Sequence, residues 1–147
     1  MPPIGGPHAS CVKRIARLFF HIVGDAAVVS VQDPLRLTDR SEPVPDLMLL
    51  RPRPDFYAAG HPTAADVLLL IEVSDTTLAY DRGTKLPLHA REGVPEVWIA
   101  DLKGERILVH REPSPTGYRL ARTVRRGERL SSAAFPDIDF AVDDMLG

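Results

Sequence analysis

The chain has 147 residues, 44% of them hydrophobic and 26% charged, with a formal net charge of −2. That is enough chain to bury a real core, and one globular domain over residues 1–147 is expected. The single cysteine, Cys11, excludes an internal disulfide and a Cys-based zinc cluster. No stretch approaches the ~20 apolar residues of a membrane span, and the N-terminus lacks a basic-then-apolar signal pattern. A cytoplasmic protein with no membrane partner is expected. Net charge neither demands nor excludes nucleic acid. The charge is uneven, however: residues 103–129 hold eight Lys/Arg against three Glu, while residues 66–81 hold four acids and no base. Such runs read first as solvated faces.

In chain order, residues 1–9 are rich in Pro and Gly and are expected to be loose. From Ser10 onward, Cys11, Val12, Ile15, Leu18, Phe19, Ile22 and Val23 form an apolar stripe at helical spacing. Ser10 is the predicted N-cap and Gly24 the stop, with Lys13, Arg14 and Arg17 on the outer face. A strand is predicted over residues 26–31, continued by Leu35–Leu37 after Pro34. Pro45-Asp46-Leu47-Met48-Leu49-Leu50 reads as a strand with its proline at the start, where a missing N–H is tolerated.

The central element is Val67-Leu-Leu-Leu-Ile-Glu-Val-Ser-Asp75, apolar enough to be buried on both faces. Alternation groups Val67, Leu69, Ile71 and Val73 on one side, and Leu68, Leu70, Glu72 and Ser74 on the other. A carboxylate on such a strand requires a partner, because an unpaired buried charge is costly. Pairing this strand antiparallel with the previous one, with Leu50 opposite Leu68, sets Asp46 opposite Glu72. Two carboxylates at that separation repel, and a divalent cation is the simplest remedy. Beyond Asp75 the period becomes helical to about Glu92. Asp75 or Thr76 is the predicted cap, Gly93 the stop, and Pro87 a kink or split. Asp81, Lys85 and His89 recur every four residues as one polar edge. Pro95–Asp101 is the next strand, expected parallel to the central one. Arg106–Arg111 and Tyr118–Val124 follow across a Pro-Ser-Pro loop as an antiparallel meander. An acidic segment from Ala133 ends in a short helix.

This order, with Pro45-Asp46-Leu47, Ile71-Glu72-Val73-Ser74-Asp75, residues 80–88 (YDRGTKLPL), residues 93–101 (GVPEVWIAD) and Ala134-Phe135-Pro136-Asp137, resembles the PD-(D/E)XK nuclease superfamily. More closely, it is similar to the Uma family of bacterial restriction-endonuclease-like proteins. The resemblance implies a restriction-endonuclease-like α/β core. It would be a mixed central sheet flanked by helices in the order α-β-β-β-α-β, with a C-terminal antiparallel meander. It also implies a Mg²⁺-dependent DNA endonuclease, with Mn²⁺ as a substitute. Carried over by position, Asp46 and Glu72 become metal ligands, joined by the Val73 backbone carbonyl. Ser74 stands where the superfamily has its lysine, and the resemblance moves that role to Lys85, with Asp81 as an alternative ligand or a support for Lys85. Family members carry a longer segment before the first helix, including an acidic residue near the cleft, so this chain is expected to start short. His89 stands where the family often has tyrosine.

Each residue also has a plainer reading. Asp46 can initiate a turn, Glu72 can pair with a base, and Asp81–Lys85 can be an ordinary helix pair. Ser74 reads as a strand-end hydrogen-bonder. His8, His21, His61 and His110 lack ligand spacing and are expected to be structural or exposed. Lys13, Arg14 and Arg82 are the candidate DNA-backbone contacts, and cutting two strands fits a homodimer. The alternative function is a catalytically silent module that binds nucleic acid or a protein partner.

Overall fold

A computed structural model describes residues 5–147. Its centre is a six-stranded mixed sheet in the order β1 (Val28–Val31), β2 (Leu47–Leu50), β3 (Val67–Ser74), β4 (Glu96–Asp101), β5 (Arg106–Ser114) and β6 (Gly117–Arg125). Only β3 and β4 pair in parallel; the other neighbours are antiparallel. Helix α1 (Gly6–Ile22) and the short α4 (Val142–Leu146) cover one face. The other face is covered by a helical segment made of α2 (Leu78–Tyr80), a π turn (Asp81–Lys85) and α3 (Leu86–Arg91), together with loops on either side of β2. A small ribbon of β7 (Arg129–Leu130) and β8 (Phe140–Ala141) leads into α4. The predicted α/β architecture, with its parallel β3–β4 pair and C-terminal meander, is present. Among the described residues no helix is long and apolar enough to cross a membrane.

The alternation read from β3 accounts for the two cores, with one local exception. Leu69, Ile71 and Val73 pack with Ile15 and Phe19 of α1 and with Trp98, while Leu70 packs with Val97 and Ile99 on the opposite face. Phe140 lies edge-on to both Phe19 and Trp98, at centroid distances of 5.3 and 6.3 Å. The predicted Leu50–Leu68 pair is not formed. Leu47, Met48 and Leu49 face Ile71, Leu70 and Leu69, and then Leu50 skips to Val67. Leu68 is therefore the extra residue of a β-bulge. It turns toward the α1 face and Val67 toward the other, reversing the predicted sides of these two residues.

Several predicted boundaries are corrected. Helix α1 starts four residues before Ser10, with Gly5 at the N-cap and Pro7 in the first turn, where proline's missing N–H costs nothing. Of the stretch expected to be loose, residues 6–9 are helical, and residues 1–4 lie outside those described. Gly24 does stop the helix, in the left-handed region at φ 58°. Leu35–Leu37 is not a strand; Leu35 is a buried loop residue and Arg36 makes an isolated bridge to Thr63. The N-cap position of the helix after β3 is Thr77 rather than Asp75 or Thr76, and its hydroxyl bonds Asp81 instead of a helix N–H. The residues assigned to a Pro-Ser-Pro loop are mostly strand, with Pro113 paired to Tyr118 and Ser114 to Gly117.

Cys11 is buried and hydrogen-bonds through Sγ to the carbonyl of Met145 at 3.3 Å. Burial, and then the nearby charge of Asp46, push its thiol up to about 12. Because the thiolate is the reactive form, the folded protein should resist alkylation at pH 8. Iodoacetamide labelling followed by mass spectrometry, with and without denaturant, checks this; rapid native labelling would contradict it.

Candidate active site

The site forms where β2 begins and β3 ends. The β2–β3 ladder ends at Leu47 opposite Ile71, and one further step sets Asp46 across from Glu72. The Asp46 carboxylate reaches the β3 backbone, where its Oδ2 accepts the Val73 N–H at 2.9 Å. Along an extended strand, a residue's N–H and C=O leave on the same edge. The Val73 carbonyl therefore points toward Asp46, while the Ser74 carbonyl points the other way and accepts the Leu102 N–H at 2.9 Å.

The helical segment places three side chains over this strand end. Lys85 Nζ lies 3.5 Å from Glu72 Oε2 and 3.5 Å from Asp81 Oδ1. His89 Nε2 lies 3.9 Å from Glu72 Oε1. Asp81 accepts hydrogen bonds from Ser74 Oγ and, at 2.9 Å, from Thr77 Oγ1. At 3.6 residues per turn, a four-residue spacing drifts by ~40° per step, which would carry Asp81 and His89 apart. The π turn adds a residue over the first step, seen as the Leu86 N–H bonding the Asp81 carbonyl, so the drift runs the other way there and the three side chains realign. Pro87 lies two residues past the π turn, and the Gly83 carbonyl, four residues back from it, lies within that turn. At the far end Gly93 adopts φ 84°, and the bonds from the Gly93 N–H to Ala90 and from the Val94 N–H to His89 close a Schellman turn.

The electrostatics follow from burial. Glu72 is 3% exposed, and desolvation raises its pKa, with Asp46 adding to the rise and His89 and Lys85 working against it. For Lys85, partial burial disfavours the charge, but Glu72, Asp81 and Asp46 outweigh it, so the ammonium is held above its ordinary value. Among the described residues, five buried side-chain polar atoms lack a partner: His8 Nδ1, Glu72 Oε1, both nitrogens of His89, and His110 Nε2. All but the last belong to side chains of this site. A concentration of unsatisfied buried polar atoms is the mark of a place where a ligand or water completes the network.

The structure brings together Asp46, Glu72, Val73, Ser74, Asp81 and Lys85. His8, expected to be structural or exposed, is a site residue that sequence reading missed: its Nε2 contacts Asp46 Oδ2 at 3.2 Å. Lys13 and Arg14 lie instead on the outer face of α1, lining a surface cavity with Asp143 and Asp144. Arg82 lies on the π turn, and its charge adds to burial in lowering the pKa of His110 on β5.

No three His, Cys, Asp or Glu side chains among the described residues gather closely enough to hold a metal ion unaided. The donors that do converge are oxygens: two carboxylates and a backbone carbonyl. That set fits Mg²⁺ or Mn²⁺, because Mg²⁺ is commonly held by one or two carboxylates, with waters and substrate phosphate completing its shell.

The six-stranded mixed sheet flanked by helices is a nuclease-like fold. Residues 1–143 match the Uma2 family model, described as "Putative restriction endonuclease", and the chain belongs to that family. Among solved structures it is similar to a "putative nuclease belonging to DUF820" from Anabaena variabilis, with a TM-score of 0.75 and 14% identity, over 99% of this chain and 83% of that one. No curated protein matches it significantly.

Proposed function

We propose that the protein is a divalent-metal-dependent DNA endonuclease of the PD-(D/E)XK type. The observation that carries this reading is the convergence of Asp46, Glu72 and the Lys85 ammonium at one strand end, with Glu72 Oε1 buried and unsatisfied. Asp46, Glu72 and the Val73 carbonyl would hold the cation. When bound, Mg²⁺ supplies Lewis acidity toward the phosphate and lowers the pKa of attacking water. Lys85 stays protonated between its carboxylates, so it serves as a hydrogen-bond donor and positive charge for the phosphate or the nucleophile, not as a base. Asp81, itself held by Ser74 and Thr77, fixes the lysine stem. Arg82 is the nearest of the three candidate backbone contacts in sequence to Lys85, and DNA binding through such residues weakens steeply with salt. Two copies acting together would cut both strands.

The test is cleavage of plasmid and single-stranded DNA with Mg²⁺ or Mn²⁺, with Lys85→Ala run alongside. Cleavage that requires the metal is expected, with Lys85→Ala slower by ~10²–10³-fold, the usual effect of deleting one preorganised donor. No cleavage with either metal, together with no thermal shift on adding Mn²⁺, would favour the silent binding module instead.

A further inference from the structure

We infer that His8 is a positioning residue that fixes the Asp46 carboxylate for cation binding; this rests on the metal-binding reading of Asp46 and Glu72. The contact spans 38 residues of sequence and joins the first turn of α1 to the start of β2. It is sheltered, with the His8 and Asp46 side chains 16% and 13% exposed. Cys11, Val12, Ile15 and Phe19 anchor α1 in the core, so His8 projects from a rigid support. Facing a carboxylate, its Nε2 must carry the hydrogen and donate it. Asp46 Oδ2 then receives two donors, the Val73 N–H from β3 and the imidazole from α1. Oδ1 has no protein partner among the described residues, and it is the oxygen left for a cation.

The two donors come from different directions and select one rotamer. With the Val73 N–H alone, the carboxylate plane can swing about that one hydrogen bond. His8 adds a second donor that fixes the plane, so the free oxygen is already directed into the site and the ordering cost of binding falls. Partners that orient ligating side chains in this way typically carry roughly 10–100-fold in metal affinity.

The experiment compares His8→Met with His8→Gln, two side chains of similar length that differ in carrying a donor amide. Mn²⁺ affinity is read by calorimetric titration, and Val73 amide exchange is read by NMR in the metal-free protein. Wild type and His8→Gln should bind Mn²⁺ with similar affinity and protect the Val73 amide. His8→Met should bind roughly 10–100-fold more weakly and exchange that amide faster. Mn²⁺ affinity and Val73 exchange in His8→Met indistinguishable from wild type would overturn the inference, as would equal losses in both variants. A wild-type protein that binds no Mn²⁺ would remove the metal-binding reading itself, and this one with it; that failure shows in the wild-type titration alone.

Discussion

Glu72→Gln is expected to abolish metal-dependent cleavage while making the metal-free protein more stable at neutral pH. Both effects come from one buried carboxylate. Its Oε1 has no hydrogen-bond partner among the described residues, the Lys85 ammonium lies 3.5 Å from its Oε2, and desolvation holds its pKa above the ordinary 4.5. In the proposed mechanism, removing the charge removes a metal ligand, and a fall of at least ~10³-fold in cleavage is expected, equivalent to about 4 kcal/mol in the barrier. In the metal-free protein the same change removes the cost of burying an ionised group. Because the folded pKa of Glu72 is raised, its favourable contribution is complete below the unfolded value and is lost as pH rises through the folded one. The variant's advantage should therefore appear at pH 7 and vanish below about pH 4. A gain of about 1 kcal/mol corresponds to a rise of ~3 °C in melting temperature at this chain length. Mn²⁺ should raise the melting temperature of wild type by binding the native state, and should not raise that of the variant. Thermal melts at pH 7 and pH 4, with and without Mn²⁺, read all of this. A variant less stable than wild type at pH 7 without metal would contradict the account of Glu72.

Glu96→Ala should produce the largest loss of stability without touching the site. Glu96 is 1% exposed and accepts three hydrogen bonds: Trp98 Nε1 at 2.7 Å, Arg111 Nε at 2.8 Å and the Ala133 N–H at 2.7 Å. It ties β4 to β5 and to the segment that leads into β8. Truncation leaves an indole N–H and a backbone N–H buried without acceptors, and the Arg111 guanidinium without its counter-charge. The expected cost is ~3 kcal/mol, carried mainly by the two orphaned N–H donors, because the Arg111 side chain is 30% exposed and keeps its bond to the Ser131 carbonyl. Urea unfolding should show a lower midpoint. Glu96 sits at the start of β4, whereas the site lies at the Ser74–Asp101 end of the parallel pair, so cleavage per folded molecule should be retained. A midpoint close to wild type would mean that water replaces the lost acceptor.

These two acids show how unevenly the sequence discloses roles. Glu72 was legible because a carboxylate inside an apolar strand violates the pattern around it, and counting along an antiparallel pair set it against Asp46. That register holds from Leu47 to Leu49 and breaks at Leu68, because a bulge is a backbone event with no residue signature there. Glu96, by contrast, looked like one letter of a family motif. Its function as a buried three-way acceptor depends on Arg111 and Ala133, which only the fold brings near.

On the helix, the four-residue recurrence of Asp81, Lys85 and His89 announced one polar edge by arithmetic alone. The π turn that keeps the three in line could not be read, since proline signals a break without saying how the backbone absorbs it. His8 was missed for a related reason. An N-terminal stretch rich in Pro and Gly predicts loose chain, yet Pro7 suits a helix's first turn, and the start of α1 decides whether His8 points at anything. The sequence by itself determined the order of elements, the two-sided burial of β3 and the acids that face each other across it, because these follow from local periodicity and from pairing between near neighbours. The tertiary structure decided where helices begin, which strand bulges and which distant donor orients Asp46, because those depend on contacts between residues far apart in the chain.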